Sequence, residues 1–370
     1  MSKTVVIRAD ASSQIGSGHI MRCLALADEL KMRGAKVIFI SREILPVLKE
    51  KIIQSGHMLR LLPPPSQPGR NKGFTYAHWL SEETEIDARQ TLGVIRELGD
   101  VNWLVVDHYG IDARWERIIK ENVERLMVID DMADRCHECD VLLDQTFNRQ
   151  KKDYIKLVPL NCNLLLGSKY ALLRPEFAQW RKKILKERQS RNGIYKILIN
   201  FGSFDKFFLV KKVTKLLINE FNDVELYVVK GCQSERRLNV EEFFSNKRVH
   251  LYDFNVNMAS LMAKVDLAVG AGGVTSWERC ALGLPSIIVT LAKNQKQIVN
   301  SLILQEAAFQ ISLFDGDFSQ KLVKYIWYLR NNKIKYLKMV KNSAAICDGK
   351  GAIRVAKLLI GGTCCHAKGT

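Results

Sequence analysis

The chain's clearest chemical signal is His19, which ends a glycine-rich turn and opens a helix. An apolar strand over residues 4–8 runs through Arg8 and Asp10 into the turn holding Gly16 and Gly18. An amphipathic stretch follows, from Ile20 to Leu30. The N–H groups of a first helical turn lack helical partners and lie at the positive end of the dipole, so this turn suits an anion or a sugar oxygen beside an imidazole. Met21 stands where a dinucleotide fingerprint has its third glycine, and no Gly-Lys-Ser/Thr follows, which argues against dinucleotide and P-loop readings. His19 is then either a general base or a helix cap. The dipole opposes positive charge on the ring and so favours the neutral form that a base needs.

A second glycine turn, Gly270-Ala271-Gly272-Gly273, precedes Ser276 and Glu278. Its helix start, with Ser276, can hold phosphates, and a carboxylate at Glu278 accepts two hydroxyl donors. An acidic residue favoured by the dipole is the plainer reading of Glu278. Polar residues also close several strands of the first half: Asp10, Asp107-His108-Tyr109, Asp130-Asp131 and Asp144-Gln145. Strand C-termini are where open α/β sheets bind ligands. Tyr109 is open to two readings, a group that bonds a sugar or orders a water, and a buried structural tyrosine. Asp130-Asp131 has the chemistry for Mg²⁺ but is read as structural. Cys136-His137-Glu138-Cys139 lacks the second ligand pair of a zinc site and is read as a loop.

These residues need a scaffold. At 370 residues, 47% hydrophobic and 26% charged, the chain suits two soluble domains. Apolar runs over 4–8, 36–40, 102–107, 125–129 and 140–143 alternate with helical stretches, the pattern of a parallel sheet. Residues 63–73, which begin with three prolines, break it and read as an excursion rather than a lid. A basic stretch over 181–191 reads as a solvated helix and linker. The pattern then restarts at 195–201, with a helix near 207–219 and strands over 225–229, 249–252, 267–269 and 286–290. The expected fold is α/β, with an N-terminal Rossmann-like domain over 1–180 and a C-terminal nucleotide-binding one over 194–361, facing across a cleft. No apolar run reaches a membrane span, and nothing at the N-terminus reads as a signal peptide, so a cytoplasmic location is expected. The nine cysteines show no disulfide spacing.

The layout, with Gly272-Gly273 to Glu278 and then Gly283-Leu284-Pro285, resembles the MurG-like nucleotide-sugar enzymes of the GT-B fold. Arg8-Ala9-Asp10 with Gly16-Ser17-Gly18-His19, Asp107-His108-Tyr109-Gly110, the run Tyr170-Ala171-Leu172-Leu173-Arg174-Pro175-Glu176-Phe177, and Asn294-Gln295 together resemble the UDP-sugar hydrolases of pseudaminic acid biosynthesis, the PseG family. That resemblance implies cleavage of a UDP-linked diacetamido-trideoxy hexose without metal or cofactor. It implies that His19 is the proton acceptor, with Tyr109 and Asn294 beside it. It further implies that Arg8, Asp10, Gly16, Gly18, Ser203, Phe208, Gly273, Ser276, Glu278 and Gln295 contact substrate. One turn departs from the family's Gly-Gly-Ser/Thr-Asp with a following asparagine. Here Gly202-Ser203-Phe204-Asp205 leads into Phe207-Phe208, bulky where backbone must approach the nucleotide.

A glycosyltransferase using the same nucleotide pocket is the competing enzyme. The formal net charge of +17 raises RNA binding as a second alternative, but the basic residues are spread among acidic ones. The expected partner is the small UDP-sugar, with no nucleic acid and no membrane, and the chain a monomer or weak oligomer.

Overall fold

The protein is described by a computed structural model over residues 2–66, 71–202, 207–231, 246–291 and 295–361. Ser203, Phe204, Asp205, Asn294 and the Cys364-Cys365 tail lie outside the described residues. The chain divides into two compact units, 1–174 with 350–370, and 175–349.

In the first unit, strands β1 (Thr4–Ala9), β2 (Lys36–Ser41), β3 (Met58–Leu61), β4 (Trp103–Asp107), β5 (Arg125–Ile129), β6 (Val141–Asp144) and β7 (Asn163–Leu166) form one parallel sheet in the order β3-β2-β1-β4-β5-β6-β7. Helices α1 (Gly18–Met32), α2 (Pro46–Gln54), α3 (Thr84–Leu98) and α4 (Ala113–Lys120) connect the earlier strands. The central strands β1 and β4 are nearly all buried, and apolar apart from Thr4, Arg8 and Asp107, because helices cover a parallel sheet on both faces. Strand order reverses between β1 and β4, the topological switch where such sheets leave a crevice at their C-terminal ends. Ala9 pairs with Asp107 there, so the His19 turn and the Asp107-Tyr109 turn leave the sheet level with each other.

The second unit opens with α5 (Pro175–Ser190). Strands β8 (Lys196–Asn200), β9 (Glu225–Val229), β10 (Val249–Tyr252), β11 (Leu267–Ala271), β12 (Ser286–Thr290) and β13 (Ala308–Ser312) make a second parallel sheet, ordered β10-β9-β8-β11-β12-β13. Its helices are α6 (Phe207–Glu220), α7 (Met258–Lys264), α8 (Thr275–Ala281), α9 (Lys296–Leu304), α10 (Phe318–Asn331) and α11 (Lys333–Ile346). A last helix, α12 (Gly351–Gly361), packs on α1 in the first unit. Gly351 allows this, since a Cβ there would meet Ala171 O at 2.2 Å, and Trp103 Nε1 and Lys3 Nζ both donate to Leu359 O.

Two expectations need correction. The unit boundaries fall at Arg174/Pro175 and Gly349/Lys350, so α5 goes with the second unit and α12 returns to the first. The basic stretch over 181–191 is also not simply solvated. Arg188 is wholly buried and donates to the O atoms of Met262, Val265 and Leu282, while Arg181 donates to those of Ala281, Ala344 and Cys347. These carbonyls end α7, α8 and α11, where helices leave acceptors unpaired, so the guanidinium groups act as internal C-caps. Among the described residues no helix is long and apolar enough to cross a membrane.

Candidate functional site

His19 and Arg22 lie three residues apart on α1 and so share the face turned to the end of β4. His19 Nδ1 sits 3.0 Å from the main-chain O of Asp107 and 3.1 Å from its carboxylate Oδ1. Both neighbours are acceptors, which assigns the hydrogen to Nδ1 and leaves Nε2 as the lone pair of the neutral ring. Arg22 grips the same carboxylate with Nε and Nη2, each at 2.7 Å, and Cys23 Sγ donates to it at 3.3 Å. Burial works to raise the Asp107 carboxyl, but the Arg22 guanidinium and His19 against it hold it well below the usual carboxylate range. Asp107 therefore stays ionised and orients the imidazole.

Arg22 also reaches Asp131 through Nη1, and Tyr109 Oη donates to Asp131 Oδ2 at 2.6 Å. Burial, then the Asp131 charge, raises the Tyr109 phenol well above its ordinary value, so it remains a neutral donor. The Tyr109 ring meets His19 edge-on at 4.5 Å between centroids. One arginine thus ties together the two carboxylates that hold the two expected reacting residues.

Arg8 and Asp10, expected substrate contacts, lie in an ion-pair cluster. Both are buried, Arg8 pairing with Asp10 at 2.5 Å and with Asp87 at 2.9 Å, while Arg42 Nε also donates to Asp87. Burial alone would raise Asp10, yet Arg8 and His108 beside it pull its carboxyl far down. His108 Nδ1 accepts from Gly110 N and Nε2 lies 3.4 Å from Asp10, so the network fixes the turn that carries Tyr109. Gly16 has φ 90°, a left-handed conformation that suits glycine, and Gly18 is the first residue of α1. Asp130 is enclosed by Arg135, Tyr154 and Ala133 N, and His137 by Glu116.

In the second unit, Gly270 brings β11 against β8, as a Cβ would meet Asn200 O at 2.0 Å. Gly272 packs on Val299, whereas a Cβ on Gly273 would meet nothing within 4 Å, leaving that backbone open to a ligand. Ser276, the expected phosphate contact, is buried, and its hydroxyl oxygen accepts from Arg279 Nη2 at 2.9 Å. Arg279 itself is buried beneath the turn and donates to Ala271 O, and burial brings it down to about 10. Glu278 is half-buried, Gln295 Oε1 accepts from Leu291 N, and Phe208 is 79% exposed in the first turn of α6.

Arg22 and the Asp131 bond escaped the sequence reading, although a charged residue amid the apolar first half of the helix, three positions after His19, was a usable signal. Tyr76 and Trp79 also escaped. Trp79 stacks on Tyr109 at 5.7 Å and lies 6.3 Å from His19, and Tyr76 packs on Trp79 at 4.5 Å.

Residues 196–356 match the glycosyltransferase family 28 C-terminal domain. A UDP-2,4-diacetamido-2,4,6-trideoxy-beta-L-altropyranose hydrolase of Campylobacter jejuni is 28% identical, over 70% of this chain and 81% of that protein. The spore coat polysaccharide biosynthesis protein SpsG of Bacillus subtilis is 22% identical, over 96% and 97%. Protein MJ1062 of Methanocaldococcus jannaschii is 26% identical over 79% of this chain, which spans little more than half of that relative, 56%. Among solved structures, MurG of Acinetobacter baumannii superimposes with TM-score 0.65 at 13% identity, covering 97% of this chain and 99% of that one. The GT-B fold with two Rossmann-like domains is borne out, and so is the resemblance to the PseG family.

Proposed function

We propose that the protein hydrolyses a UDP-linked amino sugar at its anomeric C–O bond, releasing UDP and free sugar, and that the sugar is the diacetamido-trideoxy hexose of pseudaminic acid biosynthesis. The observation that carries this reading is the Asp107–His19 pair. Both Asp107 acceptors take Nδ1–H, which leaves Nε2 to receive a proton. Water attacks the anomeric carbon as Nε2 takes its proton. The C–O bond breaks with its electron pair going to the β-phosphate, and the configuration inverts. Asp107 stabilises the imidazolium so formed, and Tyr109, fixed by Asp131, orders the sugar or the water.

In this reading Gly273 offers open backbone to phosphate and Glu278 receives the ribose hydroxyls, while Asn294 and Gln295 are sugar contacts on the family resemblance alone. The named Campylobacter relative supports hydrolysis. The family 28 match supports nucleotide-sugar chemistry and equally suits a transferase. Incubation with a panel of UDP-amino sugars, following UDP and free sugar, separates the two. Free sugar without an acceptor supports hydrolysis, and product only with an added acceptor overturns it.

A further inference from the structure

Residues 74–80, beyond the proline-rich stretch, are built into the His19 site. Ala77 and Leu80 are buried anchors, and Tyr76 and Trp79, three apart, turn their half-buried rings to Tyr109. Asn71 clips the far side, its Nδ2 donating to Leu80 O at 2.8 Å and Glu82 O at 2.6 Å. Phe74 lies under the Arg135 guanidinium. Gly110, one residue past Tyr109, permits the docking, because a Cβ there would meet Leu80 N at 2.6 Å.

We propose that Trp79 and Tyr76, continuous with Tyr109, form the platform for the sugar ring and select a sugar whose stacked face carries deoxy carbons or a methyl group rather than hydroxyls. The proposal rests on the hydrolase reading for the position of the anomeric carbon beside His19. Ribose and two phosphates separate a uracil from that carbon, so rings this near His19 meet the sugar and not the base. The wall offers aromatic faces, and its Tyr109 hydroxyl is already donated to Asp131. Hydroxyls laid on such a face lose water bonds without replacement, whereas C–H and methyl groups gain contact area.

The test is calorimetric binding of UDP and of non-hydrolysable phosphonate analogues of UDP-N-acetylglucosamine and of a UDP-diacetamido-trideoxy hexose. Wild type binds the trideoxy analogue more tightly than the hydroxyl-bearing one. Trp79→Ala reduces that advantage about five- to tenfold, Trp79→Phe retains most of it, and neither changes UDP affinity. Tyr76→Ala and Gly110→Ala, which thin or displace the wall, give a second reading of the same ratio if Trp79→Ala is unstable. An unaltered ratio, no preference in wild type, or an equal loss for UDP alone overturns the proposal. Failure of the hydrolase reading shows separately, as retained preference with no free sugar from the hydrolysable substrate.

Discussion

Arg22 and Asp107 form a two-pronged ion pair, Nε to Oδ2 and Nη2 to Oδ1, both at 2.7 Å, behind the imidazole of His19. The guanidinium keeps the carboxylate charged and fixes its plane, so that Oδ1, which also accepts from Nη2, faces the Nδ1 hydrogen. Asp107→Asn presents an amide in its place, which can donate to Nδ1 and trap the wrong tautomer. The expected result is a kcat loss of about 10²- to 10⁴-fold with UDP affinity unchanged. The melting temperature also falls, because Arg22 loses a buried counter-charge. Wild-type kcat in a folded Asp107→Asn protein would remove Asp107 from the mechanism.

His19→Leu removes the proposed base itself. Turnover drops by about 10²- to 10⁴-fold while binding of the nucleotide sugar persists, since the lost interaction belongs to the transition state. Tyr109→Phe keeps the ring against His19 and deletes the hydroxyl that bonds Asp131 and helps to order sugar or water, so its loss of kcat is smaller, about tenfold. Single-turnover kinetics on both variants gives the order, and a Tyr109→Phe defect larger than that of His19→Leu contradicts the assignment.

Strands at 125–129, 225–229 and 286–290, almost wholly buried, stand where their apolar runs lie, and so does the half-buried edge strand at 249–252. The strands without a sequence signal, β3, β7 and β13, are all sheet edges. An edge strand is covered less fully, and β3 is mostly exposed, so its residues need no continuous apolar run. The return of α12 to the first unit was illegible for another reason. Its local pattern states only that one face is apolar, and the partner, α1, lies more than three hundred residues earlier. His19 and Tyr109 could be named separately from their turns. Their contact follows from β1 pairing with β4, a tertiary fact, and the burial of Arg8, Asp10 and Ser276 was illegible because nothing local shows that a charge or hydroxyl is sealed inside.

Glu278→Ala tests the placement of the nucleotide. Glu278 lies in the first turn of α8, just past the open backbone of Gly273. If its carboxylate receives ribose hydroxyls, UDP and substrate weaken together by about 10- to 100-fold, with kcat little changed. Unchanged UDP affinity by calorimetry counts against the placement.

Asp144 gives a pH-dependent stability. Burial, then the charge of Asp131, raises it to about 7 despite Arg149 against it. The geometry agrees, because Tyr154 Oη has a single hydrogen yet lies 2.8 Å from both Asp130 Oδ2 and Asp144 Oδ2, and a proton on Asp144 satisfies the second contact. The folded pKa is above the unfolded one. This group's contribution is therefore complete below the ordinary carboxylate range and is lost as pH rises through about 7. Asp144→Asn, neutral throughout, flattens the fall in melting temperature over that interval, and an unchanged slope would show Asp144 already ionised.

The bond that breaks is the last discriminator. With Nε2 of His19 as the only lone pair left on a ring oriented by Asp107, and with the sugar on the adjoining aromatic wall as proposed, activated water is expected to meet the anomeric carbon rather than phosphorus. Hydrolysis in ¹⁸O water then places the label in the free sugar and leaves UDP unlabelled. The first-formed anomer, read by NMR before mutarotation, is inverted. Label in UDP or in a sugar phosphate would mean attack on phosphorus, which a base beside the sugar does not explain, and a retained anomer would require a covalent intermediate on a side chain of this wall.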